Sequence, residues 1–141
     1  MPYDLDPTQQ YSYDSQKRSA MRNYSSSLNR INLQTSQLDS RYGRDFGSQT
    51  RNWNKARASF PRGFNQRGLM TSGIYNREMQ DFDAERQDSF GRLAEDYYNQ
   101  RANYANQSDE SRGGYEDMMA NIEDQQRMYW AQKAAQIRGT A

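Results

Sequence analysis

The chain has 141 residues, a length for one domain or less, with 33% hydrophobic and 26% charged side chains and a mean hydropathy of −1.33. It contains no Cys and no His, which excludes thiol nucleophiles, disulfides, Cys/His zinc sites and the commonest general acid/base. The net charge is +1, but it is unevenly placed. Met1–Gly68 carries eleven bases against five acids, or +6, and Leu69–Ala141 carries eight against thirteen, or −5.

So polar a chain is either disordered or built of long helices that bury a narrow stripe. Disordered segments are poor in aromatics, whereas eleven Tyr, five Phe, two Trp and seven Met at regular spacing argue for burial. No apolar run follows a basic N-terminal segment and no stretch approaches a membrane span, so a soluble product of a cytoplasm is expected. Sixteen Arg against three Lys favours contact, because the guanidinium fork suits bidentate pairing.

Residues 1–15 read as an extended polar arm, although Asp6-Pro7 also offers a helix start, with Asp as cap and Pro at the first helical position. Over 16–59 large side chains fall at Met21, Tyr24, Leu28, Ile31, Leu38 and Tyr42, with Thr35 between, a three-four alternation. The stripe then steps to Phe46, Trp53 and Phe60. Gly43 and Gly47 weaken the helix by about 1 kcal/mol each relative to Ala, which predicts a break near 43–47 in this basic first arm.

Residues 60–73 form the expected elbow, with Pro61, Gly63, Gly68 and Ser72-Gly73 among Phe60, Phe64, Leu69 and Met70, and Ile74 just beyond. Gly68 suits a left-handed helix end and Ser72 a cap for the next helix. The acidic second helix, 74–107, carries a stripe of Tyr75, Met79, Phe82, Arg86, Phe90, Leu93, Tyr97, Arg101 and Tyr104. A polar Gly-Gly break is expected at 108–114. A C-terminal helix follows at 115–138, with Tyr115, Met118, Ile122, Tyr129, Ala134 and Ile137 on its stripe and Met119 and Trp130 beside it.

Arg62–Gly68 is not a phosphate loop, since it has neither the Gly-Lys-Ser/Thr ending nor a preceding strand. Asp81, Asp83 and Glu85 are two apart and do not share a helix face, and no calcium-loop pattern occurs. No catalytic, cofactor-binding or metal residue is therefore assigned, and no enzyme is expected.

The segment Arg67-Gly68-Leu69-Met70-Thr71-Ser72-Gly73-Ile74 resembles an Arg-Gly-apolar-x-x-Ser-Gly element. Small Gln/Asn/Arg-rich helical proteins encoded among tailed-bacteriophage structural genes carry a similar element between two long helices. The resemblance covers about eight diagnostic residues of the chain. It implies a non-catalytic virion protein of the head, connector or tail, made in the host cytoplasm. Its implied partners are portal, adaptor, tail or capsid proteins and copies of itself.

The expected fold is all-α: an elongated helical hairpin of two to three long helices, with little independent core and completed by partners. Expected partner-interface anchors are Trp53, Phe60, Phe64, Leu69, Met70, Ile74, Phe82, Leu93, Tyr97, Tyr129 and Trp130, with Gly63, Gly68, Ser72 and Gly73 as the hinge. The alternative is a largely disordered nucleic-acid-binding protein, for which Arg41-Tyr42-Gly43-Arg44 and Arg112-Gly113-Gly114-Tyr115 would supply phosphate contact and stacking. Nucleic acid is otherwise a secondary partner, and no membrane partner is expected.

Overall fold

A computed structural model describes residues 7–66, 68 and 73–140. They form two α-helices, α1 (Pro7–Gln66) and α2 (Gly73–Thr140), packed against each other as an all-α helical hairpin. Leu69, Met70 and Ser72, expected in the elbow, lie outside the described residues.

Four boundaries differ from those the sequence suggests. Helix α1 starts at Pro7, so residues 7–15 are helical rather than an extended arm. Proline suits a helix start because its missing N–H would lack an intrahelical partner there. The helix then runs unbroken through Gly43 and Gly47, and α2 runs unbroken through 108–114, so residues 115–138 continue α2. Pro61 and Gly63 also lie inside α1, which shortens the elbow.

Packing between the helices explains the continuity. Tyr42 stacks on Tyr97 with ring centroids 4.2 Å apart, and Phe46 meets Phe90 at 5.1 Å, on either side of Gly43. Tyr24 stacks on Tyr115 at 4.7 Å, immediately beside Gly113 and Gly114. Each such pair contributes about 0.5–1.5 kcal/mol beyond its burial, enough to offset a glycine's weak helix propensity. At Pro61 the neighbouring Phe60 and Phe64 are held by Tyr75 at 6.1 and 5.2 Å, keeping the last turns of α1 against α2.

The described residues fall in two compact units, 7–33 with 104–140, and 34–66 with 68 and 73–103. In the first unit the helices run antiparallel, with Ala20, Ile31 and Ile122 buried and Tyr13 edge-on to Tyr129 at 6.3 Å. Met21, expected on the stripe, is 56% exposed, and Ala20 beside it is buried instead. Tyr13 gives α1 a buried aromatic six residues after Pro7, within the segment expected to be an extended arm. In the second unit Leu38 and Phe64 are buried, and Trp53, Phe60, Phe82 and Tyr75 gather near the turn.

Gly68 has φ +69°, the left-handed region, and its N–H donates to the Asn65 carbonyl at 3.1 Å. This is the glycine-closed helix end expected of the elbow. Gly113 and Gly114, in contrast, sit in regular helix with open space where a Cβ would project. Replacing Gly113 or Gly114 by Ala should raise stability by about 0.5–1 kcal/mol each. Gly68→Val should lower it by about 1–2 kcal/mol through backbone strain. Thermal unfolding followed by circular dichroism checks both signs, and a loss of stability in Gly113→Ala would contradict the unbroken helix.

Candidate functional site

The helices leave little interior chemistry, so any function has to be sought in the seam and on the outer faces. Among the described residues no group of acids could hold a metal ion, and no helix is long and apolar enough to cross a membrane. The clefts are open grooves beside the seam. The first, of about 430 Å³, is lined by Arg57, Asp83, Arg86, Gln87 and Phe90. No nucleophile paired with a base stands in it, and an acyl- or phosphoryl-transfer constellation cannot be assembled from these groups.

Most of the anchors read from the sequence lie in the seam. Trp53 meets Phe82 edge-on at 5.1 Å, and Phe60 lies 5.0 Å from Phe64 and 5.3 Å from Phe82. Leu93 and Tyr97 line one groove with Leu38 and Tyr42. Tyr129 faces Tyr13 and carries the Lys133 ammonium 5.7 Å above its ring, and Trp130 is half-buried next to it. These side chains therefore hold the two helices of one chain together. Ile74 differs, being 51% exposed. Of the hinge residues, Gly63 lies within α1, Gly68 closes it and Gly73 opens α2.

Other large apolar side chains are largely exposed. Tyr11 is 66% exposed, Leu33 60%, Tyr98 65% and Met128 63%, and Met118 and Ile137 are about half exposed. The stripes assigned Met118 and Ile137 to the seam and set Met119 beside it, whereas the structure exposes the first two and half-buries Met119. Adjacent apolar residues on one helix satisfy the same spacing rule within one position. The facing helix therefore decides which is buried.

One polar cluster ties the helices in the second unit. Tyr97 Oη donates to Asp39 Oδ1 at 2.5 Å, and Arg101 Nη1 donates to the same oxygen at 3.1 Å and to Tyr97 Oη at 2.6 Å. The Asp39 hydrogen bond, followed by desolvation, pushes the Tyr97 phenol above its ordinary value, against the opposing pull of Arg101. Arg101 is itself pushed up, first by its hydrogen bond to Tyr97 and then by the Asp39 charge. It stays cationic.

The clasp runs against the net charges of the helices. Helix α1 carries ten bases and three acids, and α2 eight bases and thirteen acids. Yet the ion pair between helices joins an acid of α1 to a base of α2. Among the described residues the other pairs, Arg112–Asp109 and Arg127–Asp124, lie within α2. On α1, Lys17 donates to Gln126 and Arg41 to Gln100, so these two cations of the basic helix meet amides across the seam.

Compared with known protein families, with curated proteins and with solved structures, the chain matches none.

Because the folded pKa of Tyr97 is raised, its contribution to stability is fully present below the unfolded phenol value of about 10. It is lost as pH rises through the higher folded value. Asp39→Asn should therefore move the Tyr97 ionisation, followed by tyrosinate absorbance, to lower pH. An unchanged titration curve in the variant would show that the Asp39 bond does not hold the phenol.

Proposed function

We propose that this protein is a non-catalytic structural component that works by multi-copy protein–protein contacts, as a virion protein of a tailed phage in the head, connector or tail. The observation that carries the proposal is the thinness of the seam. Six side chains are buried among the described residues (Tyr13, Ala20, Ile31, Leu38, Phe64 and Ile122), and none is fully buried. Burying one Leu, Ile or Phe side chain contributes about 1.5–3 kcal/mol, whereas ordering each backbone residue costs about 1–2 kcal/mol. Neighbouring copies or partners that cover exposed Tyr98, Ile74, Leu33 and Met128 add the burial the chain lacks.

Tyr, Met and Arg on an outer surface are also residue types enriched at protein interfaces. The Arg-Gly-x-x-x-Ser-Gly resemblance at the elbow supports the phage assignment, together with its consequence that the protein resides in the virion. The paired aromatic seam favours an ordered assembly element over a disordered nucleic-acid binder.

The purified chain should self-associate at micromolar concentration in sedimentation velocity, with helicity that rises with concentration. Co-expressed with neighbouring structural genes, it should copurify in particles at a fixed copy number. A compact monomer at every concentration, unfolding cooperatively with concentration-independent helicity, would count decisively against an assembly role.

A further inference from the structure

Within the second unit, the outer faces of the two helices carry matching stripes of opposite charge. On α1, Arg41, Arg44, Arg51, Lys55 and Arg62 occupy a three-four alternation with Ser48 and Ala58, and all five cations are exposed. On α2, Glu78, Asp81, Glu85, Asp88 and Glu95 occupy the same alternation, interrupted by Arg92, and all five acids are exposed. Residues so spaced lie along one face of a helix. Most of these charges lie off the seam, which runs through Tyr42, Phe46, Trp53 and Phe60 on α1 and Phe82, Phe90 and Tyr97 on α2; at the margins Arg41 donates to Gln100 and Glu78 borders the groove beside Phe60 and Phe82.

Among the described residues the ion pairs are Asp39–Arg101, Asp109–Arg112 and Asp124–Arg127, none of which joins these cations to these acids. Ile74, 51% exposed, and Tyr98, 65% exposed, lie at the two ends of the acidic stripe and give it apolar margins.

We propose that the basic stripe of α1 docks on the acidic stripe of α2 of a second copy of this chain, which rests on the assembly role proposed above. The common spacing lets successive cations meet successive acids without a change of register. Arg is the cation best suited to hold a carboxylate by two parallel hydrogen bonds. The two stripes are different surfaces of one chain, so the contact is heterologous: each copy offers a basic face to one neighbour and an acidic face to another. Such contacts build rings when the rotation closes and filaments when it does not.

The test uses two charge-reversed full-length chains. Arg51→Glu with Lys55→Glu places two acids in the middle of the basic stripe, and Glu85→Lys with Asp88→Lys places two cations in the middle of the acidic one. Each variant alone should self-associate at least about tenfold more weakly than the original chain in sedimentation velocity, since aligned like charges replace aligned pairs. An equimolar mixture should recover association, because the reversed stripe of each variant meets its complement on the other. Recovery also shows that both variants are folded.

Association of the original chain should weaken as salt rises from low to physiological ionic strength, where the Debye length falls to about 8 Å. Variants that associate as strongly as the original chain, a mixture no stronger than its parts, or salt-insensitive association would each overturn the stripe while leaving the assembly role standing. An original chain that stays monomeric at low salt would overturn both. Loss of single-stranded oligonucleotide binding in Arg51→Glu/Lys55→Glu, with self-association unchanged, would overturn the proposal and give the basic stripe to nucleic acid.

Discussion

The contact on which everything else depends is the ring-on-ring pairing of the seam. Two α-helices meeting side by side bury about two positions in seven, and here many of those positions hold Tyr or Phe. Tyr24–Tyr115 and Tyr42–Tyr97 lie nearly parallel, at interplanar angles of 11° and 18°. Large flat side chains let a thin seam exclude water where Ser, Gln and Asn surround it. The phenol also keeps a polar end in contact with solvent or with the other helix, as when Tyr13 Oη donates to the Gln125 carbonyl. A seam of this kind fixes which face of each helix meets the other.

The helices and their order were legible from spacing because a period near three and a half residues has one simple physical source, a stripe facing another helix. The helix end at Gly68 was legible for a similar reason: few residues other than glycine accept a φ of +69°. Breaks at Gly43, Gly47, Gly113 and Gly114 were not to be found, because propensity is a local term and a tyrosine pair two or three residues away outweighs it. The choice of Ala20 over Met21 for burial was also beyond the sequence. Both fit the rhythm to within one residue, and only the facing surface, with Met118 and Ile122 nearby, favours the smaller side chain.

The anchors show the same limit in another form. Trp53, Phe60, Phe64 and Phe82 were selected as large apolar groups in a polar chain, which identifies burial but not whether the covering surface is the same chain or another. Intrachain ring contacts at 5.0 to 5.3 Å answer that for these four. The residues left uncovered, Tyr11, Tyr98 and Met128, were indistinguishable from seam residues by type and differ only in helical phase.

Charge completes the argument. The first half of the sequence is basic and the second acidic. Among the described residues the ion pair between the helices is Asp39 with Arg101, opposite in sense, and it is anchored by a tyrosine of the seam. Charged side chains next to an aromatic seam would lose hydration there, and an ion pair stripped of water recovers that loss only when its geometry and remaining hydrogen bonds are good. The outer face imposes no such loss, so the unmatched charge collects there with opposite sign on the two helices. Net charge close to zero then coexists with two strong and separate surface stripes. Charge so arranged repels like stripes and attracts unlike ones.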